Sequence, residues 1–116
     1  MAWKKFGDIR GIEVLKNLQK LDCAGNLLTD LTYIKELTNL KVLICSYNQM
    51  TDLDGIENLK NMEKLYCSSN KLKNLGKIED LKNLKEISCR GNLFSSDYEK
   101  YIKDYCKSKG IQLLTI

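Results

Sequence analysis

A spacing of 22 residues runs through most of this chain and constrains its fold more than any other feature. Four cysteines keep that spacing, and four asparagines repeat it three positions later: Cys23, Cys45, Cys67 and Cys89, then Asn26, Asn48, Asn70 and Asn92. Apolar positions keep the same period, and in the first copy they include Leu18, Leu21 and Leu28. Such a period predicts a solenoid in which each copy is one coil that packs only against its neighbours.

A short alternating segment in each period predicts a β-strand. In the first copy, Leu21 and Cys23 point inward and Asp22 points outward. Stacked coils then form one parallel sheet. The segment that returns from one strand to the next, here called the returning arc, has apolar residues at spacings of three, such as Leu31, Ile34 and Leu37, and this spacing favours a short helical or 3₁₀ turn. The Asn after each strand carries an amide that can donate to and accept from the backbone of the turn. The sequence therefore predicts an asparagine ladder.

The two ends of the chain depart from the repeat and predict caps. Trp3 and Phe6 precede a partial arc, and we expect them to close the first coil. After the last repeat, residues 95–97 offer N-cap chemistry to a helix that Gly110 ends, and residues 111–116 have the pattern of a final strand. We predict a single domain, 1–116, divided into an N-terminal cap and partial repeat, four repeats, and a capping helix with a strand: residues 1–17, 18–94 and 95–116.

These motifs resemble the short-repeat leucine-rich-repeat proteins, the kind seen in phosphatase regulatory subunits and bacterial internalins. The resemblance extends from about Gly7 to the end, with Cys at the third Leu position of every copy. It implies an α/β fold, a right-handed solenoid with a curved parallel sheet and short helical or 3₁₀ turns on the convex side. It also implies binding of a protein partner through the concave sheet face, with no catalysis and no cofactor.

The cysteine and histidine content bears on catalysis and metal binding. The chain has five Cys and no His, so Ser-His-Asp, Cys-His and His-metal sites are excluded from it. A linear column of cysteines does not converge on one zinc ion, and neighbouring strands hold side chains farther apart than a disulfide prefers. We interpret the column as a core element, with redox sensing and metal binding as alternatives. We expect neither an enzyme nor a metal site.

Charge and hydropathy bear on location. The formal net charge is +4 with Lys and Glu interspersed, which is typical of a solvated repeat surface and requires no acidic partner. No apolar run approaches a membrane span, and the N-terminus lacks the apolar stretch of a signal peptide. We expect a cytoplasmic monomer that binds neither membrane nor nucleic acid, and the alternative is a secreted effector.

The outward positions of the strands carry the functional prediction. Val42 and Ile44 point outward from the second strand, Tyr47 lies just beyond them, and Tyr66 lies on the third strand. Exposed apolar clusters with a polar rim are typical of interaction sites, and aromatic residues are the usual anchors. The alternative is that these residues merely favour strands. We predict that a protein partner docks on the four, with charged residues setting its orientation at the rim: Lys20, Asp22, Lys64, Glu86 and Arg90.

Two further functions are alternatives to this one. Self-association through the edge of the C-terminal strand, residues 111–116, would make the chain a structural unit. Weak nucleic-acid binding would use Tyr47 and Tyr66 as stacking platforms, although acidic residues dilute the charge. The basic residues of that second alternative lie along the same side: Lys20, Lys41, Lys64, Lys85 and Arg90.

Overall fold

The computed structural model describes residues 9–114 and contains one parallel sheet of five short strands. The order of the strands in the sheet is their order in the chain: Lys20–Asp22 (β1), Val42–Ile44 (β2), Lys64–Tyr66 (β3), Glu86–Ser88 (β4) and Gln112–Leu113 (β5). The predicted four repeat strands and parallel C-terminal strand are confirmed. The predicted role of Trp3 and Phe6 lies outside the described residues.

The register of the sheet follows the sequence period. Lys20 pairs with Val42, Val42 with Lys64, and Lys64 with Glu86. Because each pairing advances by one period, equivalent residues of successive coils form straight rows across the sheet. Outward side chains therefore stand beside their equivalents in the next coil, at the strand spacing of about 4.8 Å.

Equivalent apolar residues of successive coils form the core. Leu21 and Cys23 are fully buried, and so are Leu43 and Cys45 in the next coil. The arcs contribute further buried residues, which in the third coil are Leu53, Ile56 and Leu59. The strand residues and the arc residues therefore pack against each other inside every coil.

The returning arcs are short, as the period requires. Three of them contain a 3₁₀ turn, at Ile12–Val14, Ile56–Asn58 and Ile78–Asp80. The arc of the second coil instead returns through hydrogen-bonded turns, in which the Ile34 and Lys35 amides both donate to the Leu31 carbonyl at 2.9 Å. Few residues remain between strands once the turns are made, so no coil has room for a long helix.

A helix at Ser96–Lys109 (α1) covers the last repeat, as predicted. The Ser95 hydroxyl caps it by accepting from the Tyr98 amide at 3.1 Å. Gly110 ends it in the left-handed region, with φ at 70°. Ile102 and Cys106 lie on the buried face of the helix. After the helix, the chain adds β5 parallel to β4. Of the predicted strand over residues 111–116, the structure pairs Gln112–Leu113 with β4, and residues 115–116 lie outside the described residues.

Candidate functional site

The predicted binding residues fall into two outward rows on the sheet. The first row contains Lys20, Val42, Lys64 and Glu86, and the second contains Asp22, Ile44, Tyr66 and Ser88. Tyr47 and Arg90 follow β2 and β4 in the chain. Seven of the nine predicted residues therefore lie on β1 to β4, while Arg90 lies two residues beyond β4 and Tyr47 three residues beyond β2.

The apolar part of the site centres on β2. Val42 stands between Lys20 and Lys64 in its row, and Ile44 stands between Asp22 and Tyr66. Both apolar side chains are half-buried, less open than the sequence alone indicates. Neighbouring side chains in each row cover part of their surface because the strands are so close.

Tyr66 is held in place by the next strand. Its hydroxyl donates a hydrogen bond to the Glu86 carboxylate. That hydrogen bond is the main reason why the pKa of Tyr66 is raised to about 12, since an ionised phenolate would face a carboxylate. Tyr66 therefore presents a fixed, half-buried surface beside Ile44.

Tyr47 is the most exposed aromatic residue of the site, with 68% of its surface open. Its backbone is left-handed, with φ at 59°, and the equivalent positions of the other coils are Gly25, Ser69 and Gly91, also with positive φ. The Tyr47 side chain makes no hydrogen bond with any residue that the structure describes. A bulky residue in this conformation is strained, whereas glycine is not.

The charged residues of the rim form two groups: carboxylates that accept hydrogen bonds within the protein, and cations that are exposed. Asp22 accepts from the Ala24 amide at 3.2 Å, and Glu86 accepts from Tyr66. Lys20, Lys64 and Arg90 are exposed, and within residues 9–114 their side chains form no ion pair or hydrogen bond. Sequence reasoning did not separate these two groups, because the distinction depends on side-chain contacts.

The predicted asparagine ladder holds the turns that follow the strands. The Asn48 amide donates to the Cys23 carbonyl at 3.1 Å and to the Cys45 carbonyl at 3.0 Å, while its oxygen accepts from the Leu28 amide at 3.1 Å. Asn70 and Asn92 repeat the pattern one and two coils later. The ladder fixes the backbone on which Tyr47 and Arg90 stand.

A second set of asparagines, missed by the sequence reasoning, joins the coils where each arc leads into its strand. Asn39 donates to the Lys16 carbonyl at 2.8 Å, and Asn61 donates to the Thr38 carbonyl at 3.2 Å. Asn83 continues the set with a longer bond to Lys60. Its signal was present in the sequence, since these residues keep the same 22-residue spacing as Leu40, Met62 and Leu84.

The cysteine column lies inside the sheet. All five cysteines are free and buried. Burial raises the pKa of Cys23 and of Cys89 to about 12 and that of Cys45 well above its ordinary value. No group of His, Cys, Asp or Glu suited to a metal ion occurs among residues 9–114. Buried neutral thiols are poor nucleophiles and poor ligands, so this arrangement favours the interpretation as a core element.

Comparison with known proteins gives the chain a family context. A model of leucine-rich repeats, taken as two copies, matches residues 38–77 and 60–101. A leucine-rich-repeat protein of Leptospira interrogans is 31% identical over 90% of this chain, with a TM-score of 0.79. Internalin C2 of Listeria monocytogenes is 31% identical over 77% of the chain, with a TM-score of 0.73. A comparison with curated proteins gave no match.

The chain spans only part of the proteins that it resembles. It covers 27% of the Leptospira chain and 39% of internalin C2. It covers 50% of the leucine-rich-repeat ectodomain of the receptor kinase SOBIR1 from Arabidopsis thaliana, which is 30% identical over 73% of this chain with a TM-score of 0.60. No helix within residues 9–114 is long and apolar enough to span a bilayer.

Proposed function

Since the chain belongs to the leucine-rich-repeat family, whose fold is commonly a non-enzymatic protein interaction module, we propose that it binds a protein partner through the outward face of its sheet. The docking surface consists of the apolar and aromatic residues of β2 and β3 with Tyr47 beyond them. The sheet supplies a rigid base, and the partner supplies the surface that covers the apolar side chains.

Tyr47 is the observation that carries this proposal. A residue other than glycine costs about 1–2 kcal/mol in the left-handed conformation, and Gly25 and Gly91 occupy the equivalent turns without that cost. The exposed Tyr47 ring recovers nothing through hydrogen bonds with the described residues. Strained, exposed aromatic residues of this kind are candidates for function, since tyrosine is a frequent anchor of protein interfaces.

The other residues take roles that follow from their positions. Val42 and Ile44 form the apolar floor between charged neighbours, and Tyr66 adds a fixed aromatic edge. Rim charges at interfaces mainly set orientation and association rate. We assign that role to five residues: Lys20, Asp22, Lys64, Glu86 and Arg90.

Tyr47→Gly tests the proposal without the usual confusion between misfolding and lost binding. The substitution relieves the left-handed strain, so we expect the free energy of unfolding to rise by about 1 kcal/mol. At the same time, capture of the partner from a lysate of the cells that make the protein should fall strongly. Urea unfolding measures the first effect, and quantitative mass spectrometry of the captured proteins measures the second.

Ser69→Gly is the matched control. Ser69 has the equivalent left-handed backbone on the next coil, with φ at 56°, and carries no aromatic ring. This variant should gain stability in the same way and keep the partner. Ile44→Asp should lose the same captured proteins as Tyr47→Gly. If neither Tyr47→Gly nor Ile44→Asp changes the captured set, the sheet face is not the binding surface.

The alternatives gain less support from the contacts. Within residues 9–114, β5 has two paired residues, which is a short edge for self-association. Lys85 pairs with Glu63 at 3.8 Å, so it is a weaker phosphate contact than the alternative of nucleic-acid binding needs. The monomeric state and the cytoplasmic location stay predictions, and light scattering at several concentrations tests the first.

A further inference from the structure

We propose that the segment that docks on this sheet face is acidic and also carries apolar side chains. The inference rests on the proposed function, because it names the chemistry of the partner for the same surface. Its basis is that the cations of the face are exposed, whereas its carboxylates are half-buried and already accept hydrogen bonds within the protein.

The open charge of the face is positive. Lys20, Lys64 and Arg90 are exposed and form no ion pair with any residue in the described part of the chain. Asp22 and Glu86 are half-buried, and each already accepts a hydrogen bond from within the protein. A partner therefore meets three exposed cations that form no ion pair within residues 9–114, against two carboxylates that are less exposed.

The arrangement of the cations indicates a mixed acidic and apolar occupant. Val42 stands between Lys20 and Lys64 in one row, so the two ammonium groups flank an apolar side chain on strands roughly 10 Å apart. A partner segment can place an apolar side chain over Val42 and Ile44 and carboxylates to either side. This combination matches both the apolar contact and the charge.

A nucleic acid fits the same face less well. Its phosphates form a continuous chain of negative charge, which would pass the carboxylates of Asp22 and Glu86, whereas a peptide can place its carboxylates beside the cations and neutral side chains beside Asp22 and Glu86. Val42 and Ile44 offer a phosphate no hydrogen bond, and Tyr66 is tied by its hydroxyl to Glu86. Protein is therefore the class of partner that the contacts favour, and nucleic acid becomes an outcome of the test.

The experiment selects binders from a displayed library of random peptides on the full immobilised chain. The expected result is enrichment of peptides rich in Asp and Glu interspersed with aliphatic or aromatic residues. One enriched peptide is then synthesised with a fluorescent label, and its affinity is measured by anisotropy at several salt concentrations. Because open charges are screened by salt, the affinity should fall as the salt concentration rises.

Charge-reversal variants assign the effect to the proposed cations. The triple variant Lys20→Glu, Lys64→Glu and Arg90→Glu should weaken peptide binding by at least about tenfold and reduce its salt dependence. The matched control reverses three exposed lysines elsewhere: Lys16→Glu, Lys73→Glu and Lys103→Glu. It makes the same change in net charge and should retain most of the affinity. A circular dichroism spectrum confirms that both variants are folded.

The outcomes separate this proposal from the one that it rests on. Neutral or basic peptides that still require Ile44 would overturn the acidic partner and leave the sheet face as the binding surface. Peptides that bind equally to Ile44→Asp and to Tyr47→Gly would overturn both proposals. A library that yields no enriched peptide, or a labelled single-stranded oligonucleotide that binds as tightly as the best peptide, would also overturn the acidic segment.

Discussion

Individual asparagines stabilise this fold by satisfying backbone groups in two coils at once. Asn48 is 4% exposed and bonds to carbonyls of its own coil and of the preceding coil. Asn48→Ala leaves the Leu28 amide without a partner inside the protein, while the Cys23 and Cys45 carbonyls each lose one donor and keep the bonds from Asn26 and Asn70. We expect it to lower the free energy of unfolding by about 1–3 kcal/mol, measured by urea denaturation.

Asn26→Ala serves as the comparison for that measurement. Asn26 lies in the first coil, and within residues 9–114 its amide donates to Cys23 and Ala24 of the same coil and to no residue of another coil. Its loss should therefore be smaller than that of Asn48→Ala. Equal losses at the two positions would show that bonds between coils add nothing to stability.

The sequence predicted some of these residue roles and missed others for a physical reason. Asn48 was predictable because its function depends on position within the period. The strain at Tyr47 was missed, because a tyrosine does not by itself indicate positive φ, although Gly25 and Gly91 at the equivalent positions of the period favour it. The engaged carboxylate of Glu86 was missed because it depends on where the Tyr66 hydroxyl points.

At the scale of elements, one side chain ties α1 to the repeats. The Tyr98 hydroxyl accepts a hydrogen bond from the Leu75 amide at 2.8 Å, and its ring lies 5.2 Å from the Phe94 ring and 5.7 Å from the Tyr101 ring. Tyr98→Phe keeps the ring packing and removes the acceptor. We expect a loss of about 1–2 kcal/mol in the free energy of unfolding, since the Leu75 amide then lacks its partner.

Tyr101→Phe is the control for this element. Tyr101 is 43% exposed, and its hydroxyl bonds to Glu79 at the surface. Water can replace that bond, so the loss should be much smaller than for Tyr98→Phe. Thermal unfolding of both variants gives the comparison, and a larger loss for Tyr101→Phe would contradict the proposed tie between α1 and the arc that contains Leu75.

The bounds of the capping helix were predictable because particular residues at its two ends determine them. The helix began and ended where Ser95 and Gly110 indicated. The final strand was predicted over residues 111–116. In the structure β5 contains Gln112–Leu113, and the Leu114 amide also donates to the Ile87 carbonyl of β4 at 2.9 Å, while residues 115–116 lie outside the described part of the chain.

At the scale of the whole molecule, the cysteine column links stability to pH. Burial raises the pKa of the thiols along the sheet above the ordinary value of 9.0, most strongly for the fully buried Cys45 and Cys67. Above pH 9 the unfolded chain therefore releases thiol protons that the folded chain retains. Because the folded state then binds more protons, the free energy of unfolding falls as the pH rises.

Each fully buried thiol contributes up to about 1.4 kcal/mol to this loss for every pH unit above its ordinary pKa. Urea unfolding at a series of alkaline pH values should therefore give a shallower slope for Cys45→Ala than for the wild-type chain, whatever the two stabilities at neutral pH. Tyrosines such as Tyr66 also titrate late but are present in both proteins, so their contribution cancels in the difference. Leu43→Val alters packing on the same strand without removing a thiol, and its slope should equal that of the wild type. If Cys45→Ala and the wild type have the same slope, the Cys45 thiol ionises in the folded protein as readily as in the unfolded chain. The sheet then does not shield the cysteine column from water.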